Sequence, residues 1–85
     1  MKSEMKRFGE KLRSVRQFHH VTLKQLAQDL GYATHSYISQ IESGQKMPTA
    51  LFVLKVSRYF NVSTDELQKD ELELNPQQSK VQNLQ

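Results

Sequence analysis

The sequence predicts an all-α fold, a bundle of five short helices, on three observations. Apolar residues recur at three- and four-residue spacing along most of the chain, the mark of helix faces. Capping residues and stop residues punctuate that pattern at short intervals. No segment of useful length alternates with period two, so no strand is expected. With 85 residues the chain makes one domain with one small core.

The elements follow in order. Met5, Phe8, Leu12 and Val15 share one helix face, with Ser3 placed to cap and an end expected near His19. Thr22 and Gln25 have the spacing of a capping box, and Leu23, Leu26, Ala27 and Leu30 line the helix it opens. Gly31 stops that second helix, because glycine enters the left-handed conformation without penalty. A third helix is expected from a Thr34 cap, with Ile38 and Ile41 inward and Gly44 at its end. Pro48-Thr49 opens the fourth, whose core face reads as Ala50, Val53, Ser57 and Phe60. Phe52, Val56 and Tyr59 form a second apolar stripe on it, fit for burial under the next helix or for a subunit interface. Asn61 closes this helix, and Ser63-Thr64-Asp65-Glu66 is a capping box for a fifth that runs through Leu67 and toward Leu72. Beyond Asn75-Pro76 the Gln-rich tail, with Val81 and Leu84 its only apolar residues, is expected to be disordered. The expected division is a domain of residues 1–69 and an acidic, then Gln-rich, tail of residues 70–85.

Composition removes several classes of function. A membrane span needs about 20 apolar residues in a row. The longest run here is Ala50 to Leu54. The charged start has no apolar stretch behind it, so no secretory leader is expected. Without cysteine there is no disulfide, thiolate metal site or thiol nucleophile, which fits a reducing cytoplasm. His19 and His20 are adjacent and diverge on a helix, so they make no metal pair. The carboxylates Asp65, Glu66, Asp70, Glu71 and Glu73 have no His or Lys cluster beside them. No catalytic residue, metal or cofactor is expected. Residues 1–62 carry ten Lys/Arg against four Asp/Glu, a net +6, and residues 63–85 carry a net −3. A basic body with an acidic tail suits a polyanion partner.

Leu26-Ala27-Gln28-Asp29-Leu30-Gly31, Ser36-Tyr37-Ile38-Ser39-Gln40-Ile41-Glu42-Ser43-Gly44, Pro48-Thr49 and Asn61-Val62-Ser63-Thr64-Asp65-Glu66-Leu67 occur in order. Together they resemble the Cro/XRE-type helix-turn-helix family, over about Phe8 to Leu67. The resemblance implies a lambda-repressor-like fold that lays its third helix in the major groove of double-stranded DNA. It makes His35, Ser36, Ser39 and Gln40 the base-reading residues, on a face that is polar but nearly uncharged. Gln pairs in bidentate fashion with adenine, and Ser donates or accepts at most base edges. Thr22 and Lys24 at the start of the second helix, and Ser43, Gln45 and Lys46 after the third, would hold phosphates. The resemblance also pairs Arg16 with Glu42. One departure stands out: the turn after Gly31 is one residue longer than the family usually has, with the addition expected among Tyr32, Ala33 and Thr34.

The expected function is a sequence-specific transcriptional regulator, a repressor acting as a homodimer in the cytoplasm of a bacterium or encoded by a phage. Leu51, Phe52, Val56, Tyr59, Leu72 and Leu74 are its expected interface, and no small-molecule ligand is implied. The competing reading is an antitoxin-like protein–protein interaction module, motivated by the long turn and the second stripe of the fourth helix.

Overall fold

The computed structural model describes residues 5–81, in which five α-helices are present and no strand occurs. They are α1 (Phe8–Phe18), α2 (Leu23–Leu30), α3 (Ser36–Glu42), α4 (Ala50–Phe60) and α5 (Thr64–Gln68), followed by a 3-10 turn at Pro76–Gln78. The Ser3 cap and Leu84 lie outside the described residues.

Each helix end has a local cause. Thr49 accepts the amide hydrogen of Phe52, and Ser63 with Glu66 closes a complete capping box. Thr22 accepts from the Gln25 amide, but the Gln25 side chain donates to Asp29 Oδ1 at 2.8 Å instead of returning to Thr22. Only half of that capping box forms. Gly31 (φ 87°) and Asn61 (φ 56°) end α2 and α4 in the left-handed conformation, and His20 (φ 58°) follows α1 in the same way. α5 stops at Gln68, short of Leu72.

The core is built from Phe8, Leu12 and Val15 of α1, Leu26, Ala27 and Leu30 of α2, Ile38 and Ile41 of α3, and Leu67 of α5, around α4. The inner face of α4 differs from the expected one. Ala50 is exposed and Ser57 half-buried, while Phe52, Val53, Val56, Tyr59 and Phe60 are all buried. The Phe52 ring meets Phe8, Tyr32 and Tyr37, and Phe60 meets His19 and Tyr59, so α4 is wedged between elements on two sides. A helix in that position needs two apolar stripes for one chain. Phe52, Val56 and Tyr59 are therefore internal and offer nothing to a second subunit.

The segment after α5 also departs from expectation, because it runs back along α1. The Asp70 carboxylate accepts the amide hydrogens of Lys6 and Arg7, each at 2.9 Å. Arg7 pairs with Glu73 at 3.1 Å. Lys11, only 3% exposed, donates from Nζ to the carbonyls of Glu66, Lys69 and Leu72, each at 2.7 Å. Farther along, His19 Nε2 bonds Ser79 Oγ at 2.7 Å, and the Lys80 amide donates to the Phe60 carbonyl at 2.8 Å. The boundary after residue 69 does not hold, since residues 70–80 are attached to the bundle by polar contacts. Polarity alone suggested a solvated tail, but α1 supplies complementary groups at several points.

Candidate nucleic-acid interface

The α2–α3 unit is the candidate site. Its turn spans Gly31–His35, five residues where helix-turn-helix units have about three or four. Gly31 donates to the Gln28 carbonyl and Tyr32 to the Ala27 carbonyl, closing α2. Tyr32 then folds inward, stacked on Tyr37 with centroids 5.4 Å apart, while Ala33, Thr34 and His35 remain exposed. α3 begins at Ser36, so all five residues Gly31–His35 lie ahead of the helix. His35, not Thr34, occupies the cap position and makes no side-chain cap bond. Thr34 Oγ1 accepts from the Ser36 amide at 3.3 Å.

On α3, Ile38 and Ile41 are buried, Ser36 is exposed, and Ser39 and Gln40 are half-buried. His35 lies exposed at the helix start. These four polar residues thus occupy the outer side of α3 and its leading end. Tyr37 does not join them: its ring faces Tyr32 and Phe52, and its hydroxyl accepts the Thr49 amide hydrogen at 3.3 Å.

Two ties set the orientation of α3. Arg16 reaches Glu42 in bidentate fashion, Nε to Oε2 at 2.7 Å and a second guanidinium nitrogen to Oε1 at 3.0 Å. The Glu42 side chain is 1% exposed, so the pair is nearly dry on the carboxylate side and its geometry is fully constrained. Arg16 also donates to the Val21 carbonyl at 2.8 Å, joining the α1–α2 connection to the same point. The second tie is steric. A Cβ at Gly9 would overlap the backbone carbonyls of Ile41 and Glu42, so glycine lets α1 touch the end of α3 directly.

The phosphate candidates fall into two exposed groups. Thr22 and Lys24 lie at the start of α2, whose first turn has no acidic residue to oppose an anion. Ser43, Gln45 and Lys46 lie in the loop after α3, where the Gln40 carbonyl accepts from Ser43 Oγ and from the Gln45 and Lys46 amides. That carbonyl ties the loop to the same turn of α3 that carries the Gln40 side chain.

Four features escape a reading of the sequence. Lys11 sits at helical spacing from Phe8 and Val15, on the apolar stripe, which is the signal that it is internal. Burial pushes its ammonium below the usual lysine value. Gly9 and Asp70 carry no comparable sequence signal. Asp29 accepts a hydrogen bond from the Tyr59 hydroxyl at 2.5 Å, and burial, with that bond, holds the phenol above its ordinary value. Among the described residues, no three His, Asp or Glu side chains gather as a metal set would, and no helix is long and apolar enough to cross a membrane.

Residues 9–73 match the family model described as a helix-turn-helix domain. This chain belongs to the Cro/XRE-type helix-turn-helix family. Such regulators are typically non-enzymatic. The regulator is similar in structure to the restriction-modification controller protein C.AhdI from Aeromonas hydrophila, at 27% identity and a TM-score of 0.66, over 74% of this chain and 94% of that one. No curated protein matches it. The chain is a DNA-binding transcription regulator.

Proposed function

We propose that the chain is a repressor that binds a two-fold operator as a homodimer, in the cytoplasm of a bacterial or phage-infected cell. The observation that carries this reading is the outer face of α3. Ser36, Ser39 and Gln40 sit there on a helix whose rotation is set by the Arg16–Glu42 pair and by contact with Gly9. A rigid, neutral, hydrogen-bonding face suits base edges better than phosphates. His35, exposed at the leading end of α3, would reach the edge of the same groove. Thr22, Lys24, Ser43, Gln45 and Lys46 flank this face and suit the backbone on either side.

A single helix-turn-helix reads a half-site, so two copies are needed for a palindromic operator. The outward side of α4 supports pairing. Leu51 and Leu54 are 58% and 39% exposed there, and Leu72 is 38% exposed after α5. Leu54 was not among the residues expected at an interface, whereas Leu74 packs against the core. The interaction-module reading loses one motive, since the stripe of Phe52, Val56 and Tyr59 is internal.

Selection of bound duplexes from a random pool tests the proposal. Enrichment of an inverted repeat, with half-sites about 34 Å or one helical turn apart, is expected. Enrichment of a single unrepeated site, or a monomer on DNA by sedimentation, would overturn the dimer. A reporter whose promoter overlaps the selected site should lose expression when the regulator is present.

A further inference from the structure

We infer that Lys6, ahead of α1, is a DNA phosphate contact, and that Asp70 of the returning C-terminal segment positions it. Three observations meet at this point. Lys6 and Lys46 together line one cleft of about 230 Å3, between the start of α1 and the loop after α3. Its floor is Phe8, Gly9 and Ile41. Met5 has φ 62°, a left-handed turn that a non-glycine residue seldom adopts and that bends the chain just before Lys6. The Asp70 carboxylate then holds the amides of both Lys6 and Arg7 at 2.9 Å.

The chemistry follows from that placement. Among the described residues no carboxylate is paired with the Lys6 or Lys46 side chain, while Arg7, Arg13 and Arg16 each have one. Two cations from different elements, with no acidic residue lining the cleft between them, suit the singly charged phosphates of a nucleic-acid backbone. Lys46 already belongs to the loop proposed to flank the reading face. Because both lysines line the same cleft, a strand held by Lys46 would have Lys6 within that cleft as well. The inference rests on the proposed docking of α3 and extends the footprint by one contact on the α1 side. Asp70 touches no DNA: it fixes the backbone that carries Lys6.

The test measures the affinity of the full chain for its selected duplex across a salt series. Lys6→Gln should make the slope of log K against log salt shallower by about 1, since one phosphate contact is lost. Lys69→Gln removes the same charge from a side chain that does not line the cleft and is paired with Asp65, and should leave the slope unchanged. Asp70→Asn gives the decisive sign. It makes the protein more positive, so general attraction predicts tighter binding, whereas loss of positioning predicts weaker binding and a shallower slope. Equal slopes for wild type and Lys6→Gln, or equal losses for Lys6→Gln and Lys69→Gln, would overturn the inference while leaving the α3 reading intact. Tighter binding by Asp70→Asn with Lys6→Gln still active on the slope would overturn the positioning role alone. A wild-type chain that selects no duplex would remove the docking of α3 and this contact together.

Discussion

At the scale of single residues, the molecule separates groups that hold α3 from groups that face outward on it. Glu42 belongs to the first set. Replacing it with alanine leaves the Arg16 guanidinium, 11% exposed, without its carboxylate. Breaking a buried pair costs about 3–5 kcal/mol. Glu42→Ala is therefore expected to lower the denaturant midpoint and, by freeing α3, DNA affinity as well. An unchanged midpoint would show that the pair contributes nothing to folding. Gly9→Ala should destabilise by about 1–3 kcal/mol, because the new Cβ meets backbone carbonyls that cannot rotate away. Gln40 belongs to the outward set. Gln40→Ala should leave stability alone and relax preference at one base position by about 1–3 kcal/mol, read by repeating the duplex selection. Lys46→Ala should instead weaken all duplexes alike.

At the scale of elements, the C-terminal segment behaves as a strap on α1. Its acidic anchors have carboxyls held below the ordinary values of 3.8 for Asp70 and 4.5 for Glu73. The cause at Asp70 is first the Arg7 amide bond, and at Glu73 the Arg7 guanidinium. A depressed carboxyl contributes stability that is fully present above its unfolded value and is lost as pH falls through its folded value. The strap is therefore expected to stay docked above about pH 5 and to loosen only below the ordinary carboxyl range. The amide proton shifts of Lys6 and Arg7, followed by NMR during acid titration, report this directly. Movement of those shifts near pH 5–6 would contradict it. Lys11 is the other anchor. Lys11→Met leaves three carbonyls without their shared donor and should cost about 2–3 kcal/mol.

At the scale of the whole molecule, surface charge differs from formal charge. Of the cations in α1, Lys11 is internal and Arg16 is held by Glu42. Arg7 is shared between Glu10 and Glu73. The acidic segment thus neutralises Arg7 on the face it lies on, while Lys6, Lys24 and Lys46 have no carboxylate partner among the described residues. Dimerisation belongs to this scale too. Leu54→Lys on the outward side of α4 should give a folded monomer with sharply reduced operator affinity, measured by sedimentation and by titration. A dimer that persists would place the interface elsewhere.

The sequence by itself determined the helices and their order, because spacing, caps and left-handed stop residues act within a few residues of one another. It also determined which side of α3 faces outward, since Ile38 and Ile41 leave only one side for Ser36, Ser39 and Gln40. The partnership of Arg16 with Glu42 was legible only through family resemblance. What the tertiary structure decided were relations between distant segments. Whether the second stripe of α4 is interface or core depends on what packs against it, and Phe8, Tyr32 and Tyr37 cover Phe52 from three parts of the chain. Whether residues 70–80 are tail or strap depends on Arg7, Lys11 and His19, about 60 residues away in sequence. Local signals are strong because a helix has a fixed period. Long-range polar contacts leave no such period, so only the folded chain displays them.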